Sequence, residues 1–208
     1  KSYGTIDDLK NLISECHKRN IKLIIDLVLN NSGKANTYFS KACSAYNKYL
    51  KGLTLTSEEE AYKDFYVFYP TAKDIPSNVT AYKAGPSYDF YYEGNFSDNM
   101  PEFNCDSPAV KEEFKNIMKF YLDMGIDGFR LDAVKYFYFN NNAKSIEFLS
   151  WINKTVKEMK PDAYIVGECF DGYELVNEYY KSGIDSHFNF TTSVAYASQS
   201  GLINGVNP

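Results

Sequence analysis

The sequence has no concentrated run of basic residues, and its 208 positions carry a formal net charge of −5. That excludes the footprint of a nucleic-acid binder, which gathers Lys and Arg on one face. No apolar segment reaches the roughly 20 residues needed to span a bilayer. No secretory leader is visible, although Lys1 is not a natural start and lessens the weight of that observation. Cysteine is sparse. Cys16, Cys43, Cys105 and Cys169 are scattered without a CxxC spacing, which argues against a zinc site. Free core thiols are the expectation for them.

Tyrosine is abundant, with 19 residues, and aromatics make up 17% of the chain. Exposed Tyr stacks well on sugars, and a Tyr- and Asn-rich composition accounts for the count equally well. The length suits one sizeable domain, or a domain with a subdomain.

Apolar periodicity gives the elements. Residues 5–20, "TIDDLKNLISECHKRN", read as a helix with Thr5 as N-cap and Asp8 three residues on. Residues 21–29 form a short apolar run, expected as a buried strand. From Ser32 to Pro101 no clear period emerges, and Pro70, Pro76, Pro86 and Pro101 punctuate the stretch. An irregular inserted subdomain is expected there. A helix over 107–123 begins with Ser107 as cap and Pro108 at its first position. A strand over 128–133, a helix over 145–160, a strand over 163–167, a helix over 173–181 and an extended piece over 187–190 follow. Repeating βα units of this kind make an α/β fold with a parallel sheet. Three divisions result: 1–31, the insert 32–101, and 102–208.

In such folds chemistry gathers at the C-terminal ends of the strands. The first strand carries Asp26 and ends in Asn30-Asn31, the second ends in Arg130-Leu131-Asp132, and the third in Gly167-Glu168. Arg130 and Asp132 are two apart on a strand, so they share a face, and the guanidinium holds Asp132 ionised. Glu168 has no cation beside it in sequence and suits a proton donor. One ionised and one protonatable carboxylate are the equipment of a glycosidase. An Arg130–Asp132 ion pair with a solvated Glu168 explains the same pattern as plain structure.

"GIDGFRLDAVKYF" (125–137) resembles the nucleophile motif of the α-amylase family of glycoside hydrolases. "DLVLNNS" (26–32) is similar to that family's preceding strand motif and "VGEC" (166–169) to its Glu-bearing motif. "MPEFNCDSPAV" (100–110) and the stretch before Asp26 match its flanking segments. The resemblance implies a TIM (β/α)8 barrel, incomplete in this chain at about strands 3 to 6, with the insert after strand 3. It implies retaining hydrolysis of α-1,4-glucosidic bonds in starch-like α-glucans. Asp132 would be the nucleophile, Glu168 the acid/base, and Arg130 the group that orients Asp132. Asp26, Asn31, Lys135 and Tyr136 would bind substrate. Asn30 would hold a structural calcium, with no organic cofactor. An extracellular or cell-surface location follows from a polymeric substrate.

Two departures stand out. The family's third site carboxylate, in a His-Asp motif, is not found before Pro208, and the first two barrel strands are missing. The chain therefore reads as a segment of a longer protein that supplies the remaining strands, and the segment alone is expected to be inactive. Asn31 stands where the family usually has His. Another α-glucan-active enzyme, such as an α-glucosidase or transglycosylase, or a non-catalytic glucan-binding relative, is the alternative. The Asn-X-Ser/Thr sequons at Asn30, Asn78, Asn95, Asn153 and Asn189 are the chance product of an Asn-rich chain. Tyr88, Phe90, Tyr91 and Tyr92 are expected in the core of the insert.

Overall fold

The computed structural model describes residues 4–190. Six α-helices run in order: α1 (Ile6–Lys18), α2 (Thr37–Leu50), α3 (Ser57–Tyr62), α4 (Pro108–Asp123), α5 (Asn142–Met159) and α6 (Tyr173–Tyr179). The strands are β1 (Ile24–Leu27), β2 (Phe68–Tyr69), β3 (Ala81–Gly85), β4 (Tyr88–Glu93), β5 (Gly128–Leu131), β6 (Tyr164–Gly167) and β7 (Ser186–His187). They form two compact units. Among the described residues, one comprises 4–27, 115–135 and 142–190; the other comprises 28–114 and 136–141.

The first unit is built on a parallel sheet, ordered β1-β5-β6-β7. Its register puts Asp26, Arg130, Val166 and Ser186 in one row, and Leu27, Leu131, Gly167 and His187 in the next. Alternation then turns the two rows to opposite faces. Phe129, Leu131, Ile165, Leu149, Ile152 and Val156 are fully buried and make the core.

Helix α1 begins as its sequence demands. The Thr5 hydroxyl accepts from the Asp8 amide, and the Asp8 carboxylate accepts from the Thr5 amide at 2.7 Å. Such a reciprocal cap satisfies two orphan donors and contributes about 1 kcal/mol.

Asp127, just before β5, ties several chain segments together. Its carboxylate accepts from the Leu23 amide at 2.9 Å, lies 2.6 Å from His17 Nε2, and is reached by Lys22 and Lys160 at 3.2 and 3.3 Å. Burial works against its charge, but the hydrogen bonds from the Leu23 amide, His17, Lys22 and Lys160 outweigh burial and hold its pKa well below the usual carboxylate range. Gly128 follows with φ +156°, and a Cβ there would sit 1.8 Å from the Tyr164 carbonyl oxygen. Only glycine lets β5 and β6 approach at this point.

The second unit corrects the expectation of an irregular insert. Helix α2 is 14 residues long with Phe39, Ala42, Cys43, Ala45 and Tyr46 buried at helical spacing. An antiparallel sheet ordered β2-β4-β3 lies in the same unit. The helical period was hidden because its core-facing positions are Ala, Cys and aromatics, with Tyr and Lys spread around the exposed side. Phe90 and Tyr92 are fully buried. Tyr46 stacks on Phe68 at 4.7 Å and meets Phe90 edge-on at 4.9 Å. The abundant aromatics therefore serve largely as the core of this unit. All four cysteines are free thiols, and Cys43, Cys105 and Cys169 are buried.

Candidate active site

Four of the expected residues converge at the C-terminal ends of β1, β5 and β6. The row Asp26–Arg130–Val166 comes from the parallel register, and Asp132 and Glu168 lie one residue past β5 and β6. Arg130 is their hub. Its Nη1 donates to Asp26 Oδ1 at 2.8 Å and to Asp132 Oδ1 at 2.5 Å. Its Nη2 lies 2.8 Å from Glu168 Oε2. One guanidinium thus joins three carboxylates. Partial burial disfavours its charge, but Asp26 and Asp132, aided by the charge of Glu168, outweigh that and raise its pKa further.

The sequence places no cation beside Glu168, and the fold does. The expectation of a Glu168 with no cation beside it is therefore corrected: it shares Arg130 with Asp132. The reason is the parallel register, which brings Arg130 to the neighbouring strand end, 38 positions away in the chain.

Two further features of the site escaped sequence reasoning. The Ala133 amide donates to Glu168 Oε2 at 3.1 Å. Ala133 takes φ +42°, a left-handed conformation that residues with a side chain rarely adopt, at a cost of order 1–3 kcal/mol. The Val134 amide donates to the Glu168 carbonyl at 3.0 Å. No sequence signal marks Ala133, because alanine has no preference for that conformation. The second feature is Phe188, whose ring centroid lies 5.7 Å from Arg130 Cζ, within cation–π range.

Lys135, in the same unit, donates to Asp171 Oδ2 at 2.8 Å and to the Phe170 carbonyl at 3.0 Å. Asn30, Asn31 and Tyr136 belong to the other unit. There Tyr136 meets Phe96 edge-on at 5.1 Å. Asn31 bridges to Glu102 through the backbone. Asn30 is 1% exposed, and its carbonyl accepts from the Phe103 amide at 2.8 Å.

Among the described residues no three His, Cys, Asp or Glu side chains gather so as to hold a metal ion. The unit of Asn30 does hold two buried carboxylates. Glu93 accepts from Tyr69 Oη at 2.5 Å and Asn95 Nδ2 at 2.7 Å. Glu102 is pushed up to about 8, by burial first and then by the charge of Glu93. Amide and carboxylate oxygens are the donor type a calcium ion takes.

The alpha-amylase catalytic-domain model matches residues 1–203. Alpha-amylase 3 of Dictyoglomus thermophilum is 38% identical over 191 residues, which cover 92% of this chain and 35% of that protein. An oligo-1,6-glucosidase of Parageobacillus thermoglucosidasius is 30% identical over 196 residues, covering 80% and 32%. The solved structure of Eubacterium rectale Amy13B superposes with a TM-score of 0.83 at 42% identity, over 97% of this chain and 37% of that one. The chain thus spans about a third of the length of the relatives it matches. From the motifs, the parallel sheet with its carboxylates and these likenesses together, the chain belongs to the alpha-amylase catalytic-domain family of glycoside hydrolases, whose (β/α)8 barrel is represented among the described residues by four parallel strands.

Proposed function

We propose that the protein hydrolyses α-1,4-glucosidic bonds of starch-like α-glucans with retention of configuration. The observation that carries this reading is the single guanidinium of Arg130 joining Asp26, Asp132 and Glu168 at neighbouring strand ends. Asp132 attacks the anomeric carbon while Glu168 protonates the departing glycosidic oxygen. Glu168 then takes a proton from water as that water displaces Asp132. Arg130 aims Asp132 through a hydrogen bond, and Asp26 completes the hydrogen bonds to Arg130. Asn31, Lys135 and Tyr136 contact the sugars, and Asn30 holds a calcium ion whose service is structural. A polymeric substrate requires export, so an extracellular or cell-surface location belongs to the same proposal.

The test is carried out in the full-length protein on maltooligosaccharides. Asp132→Asn and Glu168→Gln each lower kcat/KM by at least about 10³-fold, and NMR of the first product shows the α-anomer. A β-anomeric product, or full activity in Asp132→Asn, sinks the reading. A second reading, glucosidase or glucosyl-transfer action on short α-glucosides, is favoured by the oligo-1,6-glucosidase likeness. Glucose and maltohexaose as the first products from maltoheptaose, with no internal fragments of two to five units, select it.

A further inference from the structure

We propose that His187 is a positioning residue for Glu168; this rests on the glycosidase reading. Register puts His187 opposite Gly167, in the row with Leu131 and on the face away from Arg130. The imidazole is buried, with 8% of the residue exposed. Its Nδ1 lies 3.2 Å from the Gly167 carbonyl oxygen. The same oxygen accepts from the Phe188 amide at 3.1 Å, and the Glu168 amide donates to the Leu131 carbonyl at 2.9 Å. The peptide linking Gly167 to Glu168 is therefore held from both sides, on one of them by a side chain, the imidazole.

Three further observations converge on this role. A Cβ on Gly167 would lie 2.8 Å from His187 Nδ1 and 2.9 Å from Cε1, so the ring fills the place a side chain would take. Tyr180 meets the ring edge-on at 4.8 Å and Tyr179 at 6.2 Å, which fixes its plane. Burial keeps the ring neutral by lowering its pKa, against the pull of the Tyr179 and Gly167 carbonyls. The tautomer with its proton on Nδ1 donates to the Gly167 carbonyl. Its Nε2 has no hydrogen-bond partner among the described residues. A buried acceptor in that state costs stability, so packing alone would favour an apolar side chain. Histidine at this position delivers a hydrogen bond to the backbone immediately before Glu168, and small shifts of a reacting carboxylate are costly to rate.

The experiment compares His187→Leu, which keeps bulk and loses the donor, with His187→Asn, whose amide nitrogen reaches the Nδ1 position. In the full-length protein, kcat and KM on an aryl α-maltoside are measured per folded molecule, with hydrogen exchange over residues 164–170. His187→Leu is expected to lower kcat about tenfold with KM within twofold, and to speed exchange over that segment. His187→Asn restores most of both. A wild-type kcat in His187→Leu, whatever the exchange shows, overturns the proposal, as does equal loss in the two variants. If the unmodified protein cleaves no α-glucan, the glycosidase reading fails on its own. The exchange comparison then decides the clamp: slow exchange in His187→Leu overturns it, and fast exchange reversed by His187→Asn supports it.

Discussion

Asn31 is 6% exposed, and its Nδ2 meets no hydrogen-bond partner among the described residues. An amide can donate to a sugar hydroxyl, but it is shorter than imidazole and carries no charge. Asn31→His in the full-length protein should raise kcat/KM on starch by about tenfold, the equivalent of one recovered hydrogen bond at roughly 1.4 kcal/mol; an unchanged value removes Asn31 from the account of sugar binding. At this scale the sequence already exposes Asp26, Arg130, Asp132 and Glu168, because acids at successive strand ends form a pattern. It hides Ala133 and Phe188. A backbone amide donor and an aromatic face are available at every alanine and phenylalanine, and only their placement makes them part of the site. The same holds for the Arg130–Glu168 contact of 2.8 Å, which no spacing in the chain announces.

Elements were legible where their ends carry a chemical signal. The Thr5–Asp8 cap marks the start of α1, and Pro108 marks the start of α4. The strands were less legible at their ends. Residues 21–29 read as one apolar run, yet β1 pairs only over Ile24–Leu27. Hydrophobicity records burial, whereas a strand ends where its partner's hydrogen bonds end. Similarly, β7 pairs at two residues, Ser186 and His187, although 187–190 read as extended. Asp127 shows what the base of these strands contributes. Its pKa is lowered in the folded state, so its stabilisation is fully present above the unfolded value near 4 and is lost as pH falls below that value. Asp127→Asn should destabilise by about 3 kcal/mol at pH 7, as expected for a broken buried ion network. Thermal melts should show that the gap from the unmodified protein narrows at pH 3; a gap as large at pH 3 as at pH 7 contradicts the assignment.

At the scale of the whole molecule, the Val28–Phe114 unit is where the sequence was least informative. Its helix α2 and antiparallel sheet are held by aromatic packing rather than by aliphatic stripes, and such packing leaves a weak periodic trace. The calcium proposal belongs to this scale. If Asn30 holds the ion, calcium binds only the folded unit and raises the melting temperature over that in EDTA, with about 2.7 kcal/mol expected at a hundredfold excess over Kd. Asn30→Ala should abolish the difference. Equal melting temperatures with calcium and with EDTA count against a structural ion.

The sequence by itself determined the family, the alternation of strands and helices, and the place of Asp132, Glu168 and Arg130 at the strand ends. Those follow from residue type and short-range order, which survive in a linear string. The tertiary structure decided that one guanidinium serves three carboxylates, that Ala133 turns left-handed to reach Glu168, and that His187 occupies the space beside Gly167. These depend on parallel register, which sets side by side residues that lie tens of positions apart in the chain, and no local propensity encodes that register.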